Sequence, residues 1–259
     1  MLTEEDRARW QAIHKSRLRL YQSGKPYPGA HPYSRSAGQV VACWDFERSD
    51  GEVVEDSSGN GLDGTLVGDA RIIDDLDRGG RVLYLDGNGD WVDCGRDPRF
   101  DIISEITVVC WVKVRRFDRD WQTIISKGDS TWRLARDRDQ DGLEFACSDV
   151  SIPGTEWGNI LGKRNANDGR WHQVVGVYDG LWMYLYVDGV LDISSQASGE
   201  IATNTWSVLI GANEEITAQG EPDRSFNGLI DDLRIYDYAL TEGEIKKLYD
   251  ESEFVPDKD

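Results

Sequence analysis

Short apolar runs, separated by Gly, Asp and Asn, follow one another from Val40 to the last quarter of the chain. Among them are VVACWDF, RVLYLDG, ITVVCWVKV, WHQVVGVYDG, LWMYLYVDG and LIDDLRIYDY. Runs of this length and punctuation are typical of β-strands, whereas an α/β chain would show helix-length amphipathic segments between its strands. No such segment occurs between Val40 and Thr241. The pattern therefore predicts an all-β, antiparallel sandwich or barrel.

Two helices are predicted outside the strand-rich region. Residues 3–21 place apolar side chains near helical spacing, which predicts an amphipathic N-terminal helix. In the closing segment LTEGEI, Thr241 and Glu244 have the spacing of a capping box, and Leu240 can contact Ile245 across the cap. We therefore expect a short C-terminal helix that lies on the sandwich.

The chain is predicted to contain one globular domain. The segment SGKPYPGAHPYSRSAG holds three prolines and three glycines, a composition typical of a linker without regular structure. The predicted organisation is an N-terminal helix and Pro/Gly linker at residues 1–37, the β domain at residues 38–255, and a tail at residues 256–259.

The charge of the chain limits its partners. The formal net charge is −19, so a phosphate backbone or an anionic membrane surface would be repelled. We therefore expect no nucleic-acid partner. No run of 18 apolar residues and no basic-then-apolar leader are present, so membrane insertion is not expected. Both a cytoplasmic chain and one without its export signal fit this observation.

The four cysteines are widely spaced and form no CxxC pair. Each lies in or beside an apolar, strand-like run, which favours buried free thiols over a zinc site. One disulfide remains compatible with the sequence. The residues are Cys43, Cys94, Cys110 and Cys147.

Four sequence blocks, in order, resemble the laminin-G-like, concanavalin A-like jelly rolls found in bacterial secreted and surface proteins. They are WDFERSDGEVVEDSSGNGLDGTL, LYLDGNGDWVDCG, DGRWHQVVGVYDGLWMYLYVDG and FNGLIDDLRIYDYALTEGEI. The resemblance extends from Val40 to Tyr249. It implies two antiparallel sheets packed face to face as a jelly roll, and it favours an extracellular or periplasmic location.

Two adjacent carboxylates, Asp231 and Asp232, interrupt the last apolar run. By strand alternation Asp231 shares a face with Leu233 and Ile235, whereas Asp232 faces the other way. At least one of them is then directed towards packed structure, where a carboxylate without a partner costs several kcal/mol. The buried carboxylate is therefore expected to have hydrogen bonds, an ion pair or a metal ion.

The family resemblance implies a structural Ca²⁺ ion between the first strand region and the last strand. Carboxylate and carbonyl oxygens are the ligands that Ca²⁺ requires. The candidate ligands are Asp231 or Asp232, Asn60 through its loop, and Asp45. The alternative is that capping and turn hydrogen bonds alone satisfy the aspartates.

The chain lacks the sequence patterns of enzymes with related folds. It contains no E-x-D-x-x-E strand, GxSxG elbow, HExxH motif or Gly-rich phosphate loop. His172 is the one histidine within the jelly-roll blocks, at a strand start where a structural hydrogen bond is expected. We therefore predict that the domain is noncatalytic.

Ten tryptophans and ten tyrosines exceed what one core of this size commonly needs, and aromatic rings stack on the C–H faces of sugars. The candidate ligand-binding residues are Trp121, Trp132 and Trp157, together with Trp182, Tyr184 and Tyr186 on one face of a predicted hairpin. Packing in the core or at its rim is the alternative for each. The sequence predicts a recognition module with a glycan or polysaccharide as ligand, within a larger polysaccharide-handling or surface system. The alternatives are a polysaccharide-acting hydrolase or lyase and a protein-interaction or assembly domain.

Overall fold

The computed structural model describes residues 38–49, 51–155 and 157–252. The predicted N-terminal helix, the linker up to residue 37 and the tail at residues 256–259 lie outside the described residues. In chain order the strands are β1 (Val40–Trp44), β2 (Val53–Val54), β3 (Gly64–Val67), β4 (Arg71–Asp75), β5 (Gly80–Asp86), β6 (Trp91–Asp93), β7 (Ile106–Val114), β8 (Thr123–Ser126), β9 (Trp132–Arg136), β10 (Leu143–Cys147), β11 (Asn159–Leu161), β12 (Trp171–Tyr178), β13 (Trp182–Val187), β14 (Val190–Gln196), β15 (Leu209–Ile210), β16 (Asn213–Ala218), β17 (Glu221–Asp223) and β18 (Asn227–Tyr236). A 3-10 turn at Pro98–Phe100 and one α-helix, α1 (Glu242–Asp250), complete this part of the chain.

The strands form two eight-stranded antiparallel sheets and a separate hairpin. Sheet I has the order β14-β13-β12-β7-β18-β5-β4, and β1 also pairs with β18. Sheet II has the order β11-β10-β9-β8-β15-β6-β3-β2, and β16 pairs with β17. The predicted hairpin between β12 and β13 is present, with Tyr178 opposite Met183.

One hydrophobic core lies between the two sheets and contains side chains from both. Trp44, Trp132 and Phe145 are fully buried in it. Gly176 of β12 faces the ring of Phe145, and a Cβ atom at this glycine would lie 2.3 Å from a ring carbon. The sheets therefore approach each other here more closely than a larger residue allows. This packing confirms the predicted all-β sandwich.

Helix α1 covers part of the outer face of sheet I. Its predicted capping box is formed, because Thr241 Oγ1 accepts a hydrogen bond from the Glu244 backbone N–H and Glu244 Oε2 accepts one from the Thr241 N–H. Ile245 is buried against Tyr186 and other apolar residues of the sheet. Tyr249 stacks on Trp111 with ring centroids 5.7 Å apart. Of the helices in the described part of the chain, none is long and apolar enough to span a membrane.

A β-bulge in β18 changes the predicted faces of the two aspartates. Asp231 pairs with Trp111 and Arg234 pairs with Val109, so the residues between them do not alternate regularly. Asp232 has a φ of 47°, the left-handed region in which a residue other than glycine is uncommon. Leu233 lies in the core, whereas Asp231 is bonded to Arg78 on the outer face. The prediction that Asp231 shares a face with Leu233 was therefore wrong.

All four cysteines are free thiols. Cys94, Cys110 and Cys147 are buried and Cys43 is partly buried. Burial raises the pKa of each of these thiols above its usual value. The expectation of buried free thiols is confirmed for three of the four.

Candidate functional site

A groove of about 470 Å³ lies on the outer face of sheet II. Strand alternation explains its position, because Leu134 and Phe145 point into the core and their neighbours Arg133 and Glu144 point outward. Loops before β8, after β9 and before β11 form its walls. The lining residues are Trp121, Asp129, Arg133, Asp137, Arg138, Asp139, Gln140, Glu144, Trp157, Asn159, Leu161 and Arg224.

The floor of the groove is a fixed polar network. Glu144 is fully buried; its Oε1 accepts a hydrogen bond from Arg133 Nε at 2.8 Å and its Oε2 accepts one from Asn159 Nδ2 at 3.0 Å. Burial opposes the charged form of Arg133, but the attraction of Glu144 and Asp129 raises its pKa above the usual value. The floor therefore consists of side chains whose hydrogen bonds hold them in one arrangement.

The walls of the groove carry its aromatic rings. Trp157 is 71% exposed and Leu161, on edge strand β11, is also exposed. The ring of Trp121, which also lines the groove, is partly buried, with the guanidinium carbons of Arg138 and Arg224 at 5.4 and 5.2 Å from its centroid. The ring of Trp157 is thus the more accessible of the two.

Arg136 holds the β9–β10 turn, whose residues line the groove. Its buried guanidinium donates to the carbonyl oxygens of Arg119, Asp139 and Gln140. These bonds connect the turn to the loop that carries Trp121. Neither the position of Arg136 nor its role was identified from the sequence, because its partners are backbone atoms that leave no sequence pattern.

Asp137 is the first residue after strand β9, and it lines the groove. Burial and the nearby charge of Glu144 raise the pKa of Asp137 above its usual value. The groove therefore contains the Arg133–Glu144 ion pair and, beside it, Asp137 with a raised pKa.

The structure brings two of the three predicted tryptophans together. Trp121 and Trp157 line the groove. Trp132 is fully buried in the core, where its Nε1 donates to the carbonyl oxygen of Phe100 at 3.2 Å. Its ring is therefore unavailable to a ligand, because strand β9 directs it between the sheets.

The aromatic face of β13 lies on the other sheet. Trp182 and Tyr184 stack with centroids 6.4 Å apart, and Tyr184 and Tyr186 lie 6.3 Å apart. Tyr186 is buried in the cluster that α1 covers. These three residues therefore form a surface separate from the groove, and one of them packs under the helix.

The predicted calcium ligands make other contacts. Asp231 is paired with Arg78, and both oxygens of Asp232 accept from Arg234 at 2.8 and 2.9 Å. The Asn60 side chain donates its N–H groups to the carbonyl oxygens of residues 40 and 41, and Asp45 accepts from the backbone of residue 47. These arginine and backbone partners satisfy the side chains without a metal ion, and the calcium site stays a prediction.

Another group of acids lies closer together. One carboxylate oxygen from each of Asp69, Asp86 and Asp90 falls within 4.8 Å of the other two, the one such group among the described residues. Asp90 is fully buried and accepts hydrogen bonds from the backbone N–H groups of residues 86 and 87. These bonds explain the position of Asp90 as part of the β5–β6 turn.

His172 has the structural role that was expected. Its Nδ1 lies 2.9 Å from Asp188 Oδ2 and its Nε2 lies 3.0 Å from Asp168 Oδ1. Two carboxylate partners are best satisfied by the doubly protonated ring. Burial opposes this form, but the two aspartates raise the pKa of His172 above its usual value. The ring joins the start of β12 to the turn between β13 and β14.

Solved structures share this fold. Domain 4 of an extracellular arabinanase from Geobacillus stearothermophilus, solved in complex with arabinotriose, is 22% identical with a TM-score of 0.60; the match covers 82% of this chain and 98% of that domain. The binding domain of Paraclostridial mosquitocidal protein 1 is 17% identical with a TM-score of 0.59, covering 82% of this chain and 52% of the other. The binding domain of botulinum neurotoxin DC in complex with SialylT is 14% identical with a TM-score of 0.61, covering 83% and 52%.

The chain spans about half the length of the two toxin binding domains that it matches. No curated protein sequence matches it. The model of the concanavalin A-like lectin/glucanases superfamily, in its laminin-G form, matches residues 86–246, which is more than half of the chain. The two antiparallel sheets agree with this match. The chain therefore belongs to the concanavalin A-like lectin/glucanase superfamily.

Proposed function

We propose that the chain is a noncatalytic recognition module that binds a glycan in the groove on sheet II. The observation that carries this proposal is the exposed ring of Trp157 beside the fixed Arg133–Glu144 floor. Ligand sites combine apolar contact surface with a small number of positioned polar groups. A sugar has both an apolar C–H face, which can stack on the ring, and hydroxyl groups, which can bond to the floor.

The geometry of the acids supports the noncatalytic part of the proposal. Most glycoside hydrolases use two carboxyl groups that flank the bond, one of them as a proton donor. Both oxygens of Glu144 accept hydrogen bonds from neighbouring side chains, so this acid is fixed as an acceptor. The arabinanase domain and the toxin binding domains are likewise parts of larger proteins, and we infer a similar setting for this chain, in a polysaccharide-handling or surface system.

A glycan array followed by calorimetry tests the proposal. We expect binding to at least one oligosaccharide, and Trp157→Ala should weaken it at least tenfold because the stacking surface is lost. Trp182→Ala is the matched control, since Trp182 is a partly buried tryptophan on the other sheet and its loss should leave the affinity unchanged.

Two results would contradict the proposal. One is the absence of binding to every glycan of the array by the folded protein. The other is loss of binding in Trp182→Ala with Trp157→Ala unaffected, which would move the site to the aromatic face of β13. Hydrolysis of a bound oligosaccharide, followed by chromatography, would contradict the noncatalytic assignment alone.

A further inference from the structure

Three residues with left-handed backbone conformations meet at one wall of the groove. Trp121, Arg138 and Arg224 have φ angles of 54°, 42° and 61°. Their side chains form one stack, in which both guanidinium groups lie against the ring of Trp121. Bulky residues rarely adopt this conformation, and strained backbone tends to be retained where it has a function.

Backbone hydrogen bonds hold the three strained residues in place. The Trp121 N–H donates to the carbonyl oxygen of Arg138 at 3.1 Å, and the Thr123 N–H donates to that of Arg224 at 2.7 Å. The adjacent Gln122 is fully buried and bonds to four backbone atoms of the surrounding loops. The backbone that carries the stack is therefore held in place by contacts within the protein.

The two arginines of the stack differ in their partners. Arg224 forms an ion pair with Asp129, which also bonds to Asn213. No carboxylate of the described residues lies within 4 Å of the Arg138 guanidinium, which is exposed and lines the groove. Arg138 therefore presents planar N–H donors that other side chains of the wall do not use.

The charges around the groove disfavour an acidic ligand. Its lining contains four acids and three arginines: Asp129, Asp137, Asp139 and Glu144 against Arg133, Arg138 and Arg224. Arg133 and Arg224 are neutralised by Glu144 and Asp129, which leaves two acids beside Arg138. The chain as a whole carries a formal charge of −19, so an anion would also be repelled at longer range.

We propose that Arg138 is the specificity-determining donor of the groove and that the sugar unit it recognises is uncharged. This inference rests on the proposed glycan-binding function. The Arg138 guanidinium beside the Trp121 ring offers its N–H groups to neighbouring hydroxyls of a neutral sugar, while Asp137 and Asp139 disfavour a carboxylate in the same place.

Calorimetry with matched oligosaccharides tests the ligand class. Cello- and galacto-oligosaccharides are compared with their C6-carboxylate forms, and arabinoxylo- with glucuronoxylo-oligosaccharides. We expect the acidic member of a pair to bind at least tenfold more weakly, with a difference that decreases as salt is added. Equal or tighter binding of an acidic member would overturn the inference and leave glycan binding intact. If the protein binds neither these series nor any glycan of the array, the proposed function fails and the inference fails with it.

Replacement by glycine separates recognition by Arg138 from a structural role. Arg138→Gly removes the guanidinium and relieves the left-handed strain, so the melting temperature should stay unchanged or rise while the Kd increases at least tenfold. Gln219→Gly is the matched control, because Gln219 is exposed, has a φ of 57° and lies outside the groove. The Kd of the Gln219→Gly protein should equal that of the wild type.

A second variant keeps this test decisive if Arg138→Gly does not fold. Arg138→Lys retains the charge and loses the planar fork, so a folded Arg138→Lys protein should bind the neutral oligosaccharide several-fold more weakly. Unchanged affinity in the folded Arg138 variants would overturn the assignment of this residue.

Discussion

The Nε atom of Arg78 lies 2.6 Å from Oδ2 of Asp231, although 153 positions separate the two residues in the chain. Arg78 belongs to the turn between β4 and β5, and its guanidinium carbon is 4.3 Å from the ring centroid of Trp111. Both charged side chains are nearly buried. Burial raises the pKa of Asp231 to about 7, an effect that Asp232 reinforces and Arg78 opposes. The arginine therefore supplies the positive charge that the aspartate in this strand requires.

Removing Arg78 should destabilise the protein strongly. Arg78→Leu removes the counterion of Asp231, whose pKa then rises further, so the acid either binds a proton or stays charged without a partner. Losses of about 3–5 kcal/mol are typical of an unpaired buried charge, and we expect the loss to be largest well above pH 7. Urea unfolding measures the difference. The double variant Arg78→Leu/Asp231→Asn should recover much of the stability, because it removes the isolated charge as well. A loss below about 1 kcal/mol in the single variant would show that the pair contributes little.

Removing divalent ions tests the calcium prediction. The calcium ion implied by the family resemblance predicts that a chelator lowers the melting temperature, since an ion that binds only the folded state stabilises it by about 2.7 kcal/mol at a hundredfold excess over its Kd. The ion pairs of Asp231 and Asp232 predict no change. We expect the melting temperature in excess EDTA to equal that in calcium. A clear decrease, together with calcium in elemental analysis, would support the metal site instead.

The two carboxylates that hold His172 predict a pH-dependent contribution to stability. The pKa of His172 is raised in the folded state, so the folded protein binds more protons than the unfolded one above the ordinary pKa near 6.5. The contribution is complete below about pH 6.5 and is lost as pH rises through the folded-state pKa. The unfolding free energy of His172→Gln should not show this decrease with rising pH.

The measurement is the difference in unfolding free energy between the wild type and His172→Gln, followed from pH 5 to 9. A difference is needed because the raised pKa of Asp231 also lowers stability as pH rises, in the range from about 4 to about 7. The effect of Asp231 is the same in the wild type and in His172→Gln, so it cancels in the difference. A pH-independent difference would contradict the proposed protonation of the ring between Asp168 and Asp188.

Gly176 should tolerate no side chain. The Cβ atom of Gly176→Ala would lie 2.3 Å from the Phe145 ring, and overpacking of this kind typically costs about 1–3 kcal/mol. Gly243→Ala is the matched control, because a Cβ atom there meets nothing within 4 Å and alanine favours a helix. Thermal unfolding should show a lower melting temperature for Gly176→Ala and an equal or higher one for Gly243→Ala.

Local patterns predicted the parts of the fold that depend on neighbouring residues. The alternating runs indicated the strands, and the spacing of Thr241 and Glu244 indicated the helix cap that the structure contains. The β12–β13 hairpin also follows from one continuous segment. In each case the residues that decide the local structure lie within a few positions of one another.

The bulge in β18 and the groove could not be predicted in this way. One left-handed residue, Asp232, shifts the faces of the strand, and nothing in the apolar pattern shows it. The groove combines Trp121, Arg138, Trp157 and Arg224, which come from separate loops. Both tryptophans were chosen as candidates because of their polar neighbours in the sequence. The arginines that stack on Trp121 could not be identified in this way, because their positions depend on tertiary contacts.

The free thiols have a consequence for how the fold responds to redox conditions. Since no cysteine pair bridges the sandwich, reducing agents have no covalent bond to break in it. Because thiolates are the reactive form, the raised pKa values also protect Cys94, Cys110 and Cys147 from oxidants and alkylating reagents. The sandwich is thus suited to oxidising and reducing surroundings alike, and Cys43 is the thiol at which a probe should first attach.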